Sequence, residues 1–423
     1  MALKIAVIGG GSTYTPELIE GFAARPDVLP IDELVLHDID GDRLAIVAGL
    51  ARRMLDRSGW RGRLVETTDR SRAIDGADFV LVQIRVGGQA TRYLDETLPL
   101  RFGAIGQETT GPGGFAKALR TVPVVLSIGD EVRARAADGA WLLDFTNPVG
   151  IVTQALIDAG HRSLGLCNVA IGLQRGFARR LGVRPEQVGL EQVGLNHLSW
   201  VRAVRIDDRD ILPELIAERP EMLVDMSGST VERIRTLRAL PSSYLHYYDD
   251  TARVLDEQRS GHTRAEDVMR IEHDLLEMYR DPALDRKPEL LEQRGGAYYS
   301  EAAAALVASL NTSDGAVHVV DCRNGGTLPD LAVDDVVEVA ARIDRQGAHP
   351  LPLEPLGPEM HDLVARAKRY ERLTIQAALS GSRDDARAAL AANPLVPPAV
   401  VDELLDALLD AHRAVLPQFF APA

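Results

Sequence analysis

Cysteine is scarce in this sequence of 423 residues, which contains only Cys167 and Cys322. Two cysteines provide no disulfide framework, and a chain of this length can bury a large apolar core without one. Basic residues are also outnumbered, because 47 Lys and Arg residues face 62 Asp and Glu residues, for a net charge of -15. This balance argues against a nucleic acid or an acidic membrane as partner, since both require a basic face. A small anionic substrate stays compatible, because a few local arginines can hold it.

Long apolar runs are missing as well. No stretch of about 18 uninterrupted apolar residues occurs, which excludes a membrane-spanning helix. The N-terminus, MALKIAVIGGG, has one lysine and a short apolar run before its glycines. A signal peptide would need a longer apolar region and a small-residue cleavage site. We therefore predict a cytoplasmic protein.

Short β-branched and apolar runs alternate with helical patterns in the first part of the chain. Strands are predicted at residues 3–8, 33–37, 79–83, 141–145 and 163–167, with helices at about 15–24 and 119–135. Beyond residue 168 the pattern changes, and residues 191–206 mix strand-like pieces around GLNHLSW. Charged helical periodicity covers about residues 230–294 and returns after residue 333. Residues 349–358 are predicted to form a loop. We therefore predict an α/β fold, with a Rossmann-type parallel sheet in residues 1–168 and a mixed α+β domain in residues 169–423.

A glycine-rich turn stands where a dinucleotide-binding fingerprint belongs, after the first strand and before the first helix. Glycines permit the tight turn and let backbone N–H groups approach a pyrophosphate at the helix N-terminus. Asp38 and Asp40 follow the second strand, where an acid can bind the ribose 2′-hydroxyl and repel the 2′-phosphate of NADP. The third glycine of the pattern is replaced by Tyr14, and the alternative is a turn that merely joins strand to helix. The predicted NAD-binding residues are Gly9, Gly10, Gly11, Ser12, Thr13 and Asp38.

Two further features could carry chemistry. Cys167 follows a predicted strand and His197 lies in GLNHLSW; together they offer ligands suited to a transition metal, with substrate and water completing the site. The alternative is a buried small cysteine and a structural histidine.

The segment SSYLHYY places Tyr244, Tyr247 and Tyr248 close together. Such a cluster is either an aromatic face in the core or the source of a phenolate, whose pKa a nearby cation would have to lower.

The chain resembles family 4 of the glycoside hydrolases, and most of all its 6-phospho-β-glucosidases. The stretches that carry the resemblance occur in family order from residue 3 to about 415: VIGGGSTYTPELI, RVGGQATRYLDETLPLRFGAIGQETTGPGG, FTNPVG, GLCNVAIG, GLNHLSW, SYLHYY, RGGAYYS and RYERLTIQAAL. The resemblance implies a fold like that of lactate and malate dehydrogenases, with residues 169–423 serving substrate, metal and oligomer contacts. Relatives imply a homodimer or homotetramer.

The resemblance also implies an unusual mechanism, outside the two-carboxylate rule of most glycosidases. NAD oxidises the sugar at C3, a base removes the acidified C2 proton, the C1–O bond breaks by elimination, water adds, and NADH returns the hydride. A divalent metal, usually Mn²⁺ or another divalent transition metal, holds the C2 and C3 oxygens. By position, Cys167 and His197 correspond to metal ligands and Tyr244 to the base, with Tyr247 as second choice.

Other site residues follow from the same resemblance. Arg92, Asn147 and Arg294 correspond to positions that contact the sugar phosphate, and Glu108 to a residue that increases the basicity of the tyrosine. Surface arginines are common, and Asn147 before Pro148 could simply form a turn. In the α-specific branch of the family, the position of Asn168 resembles an aspartate that protonates the leaving oxygen. A side-chain amide cannot donate that proton, so Asn168 favours the β-specific branch. Ala170 replaces the usual proline after CNV.

We therefore predict a 6-phospho-β-glucosidase that depends on NAD and a divalent metal and acts on a small sugar phosphate. Three alternatives stay open at the level of sequence. A relative with the same chemistry could act on unphosphorylated or uronic sugars, a plain NAD-dependent hydroxy-acid dehydrogenase would share the N-terminal fold, and a nucleotide-sensing protein could have a dead site. A metal requirement, abolished by a chelator, would separate the predicted glucosidase from the dehydrogenase. Retention of Cys167, Asn168, His197 and Tyr244 argues against the nucleotide-sensing protein.

Overall fold

Two sheets organise the computed structural model, which describes residues 3–295 and 298–420. Gly296 and Ala297 of the RGGAYYS stretch lie outside the described residues. In chain order the strands are β1 (Leu3–Ile8), β2 (Ile31–His37), β3 (Arg63–Thr67), β4 (Phe79–Val82), β5 (Trp141–Asp144), β6 (Ser163–Gly165), β7 (Val188–Leu195), β8 (Leu198–Ile206), β9 (Arg209–Asp210), β10 (Leu240–Pro241), β11 (Val317–Arg323), β12 (Val336–Asp344) and β13 (Gly347–Pro350).

The main sheet has nine strands among the described residues. Its first six strands pair in parallel in the order β3-β2-β1-β4-β5-β6, which is the strand order of a Rossmann fold. Beyond β6, the strands β11, β12 and β13 extend the same sheet in antiparallel orientation. Strands from both sides of residue 168 therefore share one sheet, and the domain division at that residue stays a prediction.

Helices cover both faces of the main sheet. They are α1 (Thr15–Ala23), α2 (Gly41–Ser58), α3 (Arg70–Ile74), α4 (Gly88–Thr97), α5 (Gly111–Arg135), α6 (Val149–Asp158), α7 (Asn168–Leu181), α8 (Leu212–Glu218), α9 (Pro220–Ser227), α10 (Val231–Leu237), α11 (His246–Asp249), α12 (Thr251–Ser260), α13 (Arg264–Tyr279), α14 (Leu290–Gln293), α15 (Tyr299–Thr312), α16 (Pro358–Ser380), α17 (Arg383–Ala392) and α18 (Val401–Ala411). One apolar core packs α1, α2, α13 and α15 against the sheet, and a second core on the other face packs α5, α6 and α16 to α18. Within the described ranges, no helix combines the length and the apolar character needed to cross a bilayer.

The second sheet is small and antiparallel, in the order β10-β8-β7, with β9 paired to β8. Helices α7 to α10 pack against it around a third apolar core. β7 ends at Leu195 and β8 begins at Leu198, so Asn196 and His197 form a two-residue turn between them. This β7–β8 hairpin brings GLNHLSW to the end of the main sheet.

The predicted fold class is confirmed: the chain is α/β, with a parallel sheet, a mixed sheet and a C-terminal part. The strands predicted in the first part of the chain are present, although the sequence pattern missed the edge strand β3. The helical prediction after residue 333 was wrong at its start. Residues 336–344 form β12, because VVEVAARID is a β-branched run that pairs with β11, and β13 occupies the beginning of the predicted 349–358 loop. Helix α16 begins only at Pro358.

Candidate active site

A cleft with a cavity volume of about 1030 Å³ opens at the carboxyl ends of β1, β2, β4 and β5. Ligands of open α/β sheets bind at this edge, where the strand order reverses. Most of the predicted site residues line the cleft: Gly9, Ser12, Asp38, Arg92, Glu108, Asn147, Asn168, His197, Tyr244 and Arg294. The others, Gly10, Gly11, Thr13 and Cys167, are buried behind them. The predicted set therefore gathers in one place although it spans nearly 290 positions of the chain (9 to 294).

The glycine turn is held tightly against β2. The backbone N–H groups of Gly9 and Gly10 both donate to the carbonyl of His37, at 2.9 and 2.7 Å, and that of Gly11 donates to Asp38 Oδ2 at 2.9 Å. Gly9 has φ +91, and a Cβ at Gly10 would come within 2.8 Å of the Leu36 Cβ. No side chain fits this approach, so the turn itself requires glycine. Asp38, half-buried at the end of β2, is the acid beside it.

The residues after the turn face in different directions. Thr13 is fully buried and does not line the cleft; its backbone carbonyl accepts a hydrogen bond from the Tyr279 hydroxyl at 2.7 Å. Tyr14, which replaces the third glycine, turns its ring into the cleft, where the Arg294 guanidinium lies 4.4 Å from the ring centroid. The departure from the fingerprint therefore places an aromatic wall next to a predicted substrate-binding arginine.

Cys167 and His197 meet at the floor of the cleft. Cys167 stands between β6 and α7, and its Sγ lies 3.5 Å from His197 Nε2. Burial lowers the pKa of His197 to about 3, so the imidazole is neutral at physiological pH, while burial raises the pKa of the Cys167 thiol. His197 Nδ1 is buried without a hydrogen-bond partner among the described residues.

The separation of these two atoms fits a shared metal ion. Ligands at ~2.3 Å (sulfur) and ~2.1 Å (nitrogen) from one tetrahedral ion lie about 3.6 Å apart. Within residues 3–295 and 298–420, no group of three His, Cys, Asp or Glu side chains is placed to hold a metal. An ion held by this pair alone would leave its other positions to substrate or water, as the sequence predicted.

Tyr244 covers the histidine. Its ring stacks on the His197 imidazole with a centroid distance of 3.8 Å and an interplanar angle of 9°. Burial raises the pKa of Tyr244, negative charge on Cys167 and, to a smaller extent, on Glu108 raises it further, and an interaction with the Thr109 side chain lowers it. Tyr247 lies 6.0 Å from Tyr244 between ring centroids and does not line the cleft.

Glu108 lies among three cations. Its carboxylate is ion-paired to Arg85, to Lys117 Nζ at 2.7 Å and to Arg92 Nη1 at 3.5 Å. Although burial alone would raise the pKa of Glu108, Arg85, Lys117 and Arg92 hold it well below its usual range. Burial and the adjacent Arg85 in turn lower the pKa of Lys117 to about 7. The carboxylate is therefore ionised and fixed in place.

A second buried carboxylate organises the opposite wall. Glu272 is ion-paired to Arg294 and, at 3.3 Å, to Arg43, while Gln89 Nε2 donates to it at 3.0 Å. Arg43 Nε also donates to the carbonyl of Gly11 at 2.7 Å. The pair Arg43 and Arg294 thus joins the glycine turn to the predicted substrate pocket.

Two asparagines complete the cleft. Asn147 precedes Pro148 through a cis peptide bond, and its Oδ1 is buried without a hydrogen-bond partner in the described part of the chain. Asn168 is the first residue of α7 and lines the cleft directly after Cys167. The conformation at Asn147 is compatible with the turn that the sequence suggested and with a substrate contact.

The sequence reasoning missed several residues of the cleft. These are Arg43, Arg85, Lys117, Glu272 and Tyr299. Arg85 opens the RVGGQATRYL stretch and Lys117 follows GPGGFA, so both stand in or beside stretches that carried the resemblance. Their charge could have indicated them. Glu272 and Arg43 lie on helices α13 and α2, where a charged residue gives no signal of its own.

Comparison with known proteins agrees over the whole chain. The profile described as family 4 glycosyl hydrolase matches residues 4–183, and the one described as family 4 glycosyl hydrolase C-terminal domain matches residues 192–396. A protein of Bacillus subtilis (strain 168), described as a probable 6-phospho-β-glucosidase, is 40% identical over 99% of this chain and 98% of its own. A 6-phospho-β-glucosidase of Escherichia coli (strain K12) is 37% identical over 99% and 97%.

Solved structures give the same result. The 6-phospho-β-glucosidase from Thermotoga maritima, determined with manganese, NAD⁺ and glucose-6-phosphate, superimposes with a TM-score of 0.92 at 35% identity, over 98% of this chain and 99% of that one. Malate dehydrogenase from Cryptosporidium parvum, at 15% identity and a TM-score of 0.57, shares the fold alone.

Proposed function

The chain belongs to family 4 of the glycosyl hydrolases, and we propose that it hydrolyses 6-phospho-β-glucosides with NAD and a divalent metal ion as cofactors. Curated relatives with that activity, at 35–37% identity over nearly the full length, support the substrate class. The observation that carries the proposal is the pairing of Cys167 with His197 at 3.5 Å in the same cleft as the glycine turn. A plain hydroxy-acid dehydrogenase, which usually works with a His–Asp pair, does not need such a pair.

The glycine turn and Asp38 would hold the cofactor. When bound, NAD supplies the hydride acceptor for the sugar C3 position and returns the hydride at the end. The N-terminus of α1 stands beside the turn and favours the negative charge of a pyrophosphate. Asp38 keeps Gly11 in place through its Oδ2 and offers negative charge to a ribose hydroxyl, which disfavours a 2′-phosphate there.

Cys167 and His197 would hold the metal. A divalent ion there supplies Lewis-acid polarisation of the sugar oxygens and the positive charge that a neighbouring phenolate needs. The neutral imidazole of His197 is ready to bind, whereas the Cys167 thiol must lose its proton. Both thiols of the chain are free, in keeping with a reduced compartment, and we propose a cytoplasmic location.

Tyr244 is the proposed base that removes the C2 proton. Its stacking on His197 fixes the ring at the edge of the metal pair, and its raised pKa makes the phenolate, once formed, a strong proton acceptor. Glu108 adds a small contribution in the same direction. Arg85, Arg92 and Lys117 hold the pKa of Glu108 well below its usual range, so the carboxylate stays ionised and does not itself accept the proton, and the same cations offset part of its effect on Tyr244.

The sugar phosphate is proposed to contact Arg92, Arg294, Asn147 and Asn168. The two arginines are each oriented by a buried carboxylate, so their planar guanidinium groups are positioned before an anion arrives. The unpartnered Asn147 Oδ1 offers an acceptor for a sugar hydroxyl. Asn168 cannot act as an acid toward the leaving oxygen, which supports a β-linked substrate. Assembly as a homodimer or homotetramer stays a prediction.

Release of p-nitrophenol from p-nitrophenyl β-glucoside 6-phosphate tests the proposal, with NAD⁺, Mn²⁺ and a thiol each omitted in turn. Activity that requires NAD⁺, metal and the phosphate group supports it. Equal rates on the unphosphorylated glucoside would remove the substrate assignment, and stable NADH accumulation with intact substrate would favour a dehydrogenase. Cys167→Ala should abolish turnover, with Cys322→Ala as the matched control, because Cys322 is also buried but lies in β11 outside the cleft.

A further inference from the structure

The turn that carries His197 has an unfavourable backbone conformation. His197 has φ +61, in the left-handed region that non-glycine residues rarely occupy. Such a conformation persists only where its surroundings fix it. Glycine is the usual choice at the second position of such a turn. Something outside the turn must therefore hold the β7–β8 hairpin in place.

Glu338 is the group that does so. It stands on β12 of the main sheet, is 2% exposed, and receives hydrogen bonds from three side chains of the hairpin. Asn196 Nδ2 donates to its Oε2 at 2.9 Å; Ser199 Oγ, at 3.2 Å, and Gln192 Nε2 donate to its Oε1. Gln192 Nε2 also donates to Ser199 Oγ at 3.2 Å, which joins the two strands of the hairpin. All three donors to one buried carboxylate come from the element that carries His197.

Asn196 links this carboxylate to both proposed metal ligands. It precedes His197 in the turn, and the interaction of its side-chain amide with the Cys167 thiol lowers the pKa of that thiol. The turn packs closely on α6, because a Cβ at Gly150 would lie 3.1 Å from the Asn196 Cβ. Asn196 is therefore held by Glu338, directly precedes His197 and acts on the Cys167 thiol.

We propose that Glu338, acting through Asn196, is a positioning residue that sets the separation of Cys167 and His197 for metal binding. The inference rests on the proposed function, since it presupposes that these two side chains bind the ion. Mutation of residues that orient metal ligands without touching the metal typically lowers metal affinity by about 10–100-fold. Glu338→Gln keeps the shape but replaces one acceptor oxygen with a donor that faces other donors.

Titration of the reduced, metal-free protein with Co²⁺ tests this without turnover, because a cobalt–thiolate absorption band reports the bond to Cys167. Glu338→Gln should weaken Co²⁺ binding about 10–100-fold, and NAD⁺ binding followed by fluorescence should not change. Raised Mn²⁺ should restore kcat. Glu371→Gln is the matched control: Glu371 is a buried carboxylate paired to Lys368, and none of its hydrogen bonds in the described ranges comes from the hairpin.

Three results would overturn the inference. The first is a Co²⁺ affinity of Glu338→Gln within twofold of the wild type. The second is an equal loss in Glu371→Gln, which would indicate a general effect of buried charge. The third is the absence of a cobalt–thiolate absorption band in the wild-type protein. That outcome would refute Cys167 as a metal ligand, and with it the positioning role of Glu338. If Glu338→Gln does not fold, Asn196→Ala takes its place, because it removes the link to Cys167 and leaves Gln192 and Ser199 on the carboxylate.

Discussion

Replacing Tyr244 with Phe is the most direct perturbation of the proposed base. The substitution removes one oxygen and keeps the ring, so the stack on His197 at 3.8 Å should persist and the metal pair should stay as it is. The lost hydroxyl would be the only group that accepts the C2 proton. A positioned general base contributes about 10²–10⁴ in rate, equivalent to about 2.7–5.5 kcal/mol of activation free energy. We expect kcat to fall by that factor.

Exchange of the C2 hydrogen with solvent separates proton removal from the other steps. In D₂O, with NAD⁺ and Mn²⁺, wild-type protein should incorporate deuterium at C2 of substrate or product, and Tyr244→Phe should do so more slowly by about the same factor as kcat. The NAD⁺ dissociation constant should stay within about twofold, because the hydroxyl is not part of the glycine turn.

Tyr247→Phe is the matched control. Its ring lies 6.0 Å from that of Tyr244, packs on His246 at 4.0 Å, and does not line the cleft. We expect it to exchange at nearly the wild-type rate. Undiminished exchange in Tyr244→Phe would refute the assignment, and loss in Tyr247→Phe instead would move the base to Tyr247.

Three further substitutions test the other walls of the cleft. Glu108→Gln should lower the free energy of unfolding by about 3 kcal/mol at pH 7 in urea titrations, because it leaves buried cations without their carboxylate. The folded pKa of Glu108 is depressed, so its carboxylate stabilises the fold above the unfolded value of about 4.3; the difference between wild type and variant should vanish as the pH falls through the folded value. Asp38→Asn, which keeps a side-chain oxygen for the Gly11 N–H, should weaken NAD⁺ binding about tenfold in calorimetry and leave NADP⁺ binding unchanged or tighter, and an equal loss for both would contradict the ribose role. Arg294→Ala should raise KM for the phosphorylated aryl glucoside about 10–100-fold with a smaller change in kcat, and an unchanged KM would exclude a phosphate contact.

Local sequence signals predicted much of the cleft because each was complete within a short stretch. The glycine turn, the strand before it and the acid after β2 lie within residues 3–38, and their geometry follows from the turn itself. The stretches GLCN and GLNHLSW pointed to Cys167 and His197 in the same way. That these residues share a cleft depended on the resemblance, since periodicity alone does not specify which ends of a fold meet.

Long-range partners were out of reach of the sequence. Glu338 lies 142 positions from Asn196, in a segment whose charged pattern suggested a helix. The strand forms there because β11 offers pairing along the whole run, a tertiary effect that overrides local preference. The cations around Glu108 could not be predicted for the same reason. Arg85 and Lys117 lie in separate parts of the chain, and only the fold brings them to the carboxylate.

The origin of the two proposed metal ligands has a consequence for the stability of the whole molecule. Cys167 follows the last parallel strand of the main sheet, whereas His197 caps a hairpin of the small sheet. An ion shared by both would crosslink two bodies that otherwise meet through packing and hydrogen bonds. At about 100 times its dissociation constant, it would add about 2.7 kcal/mol to the free energy of any unfolding that separates them. Chelation would then do more than stop turnover: it would also lower, by about that amount, the free energy that opposes separation of the small sheet from the large one.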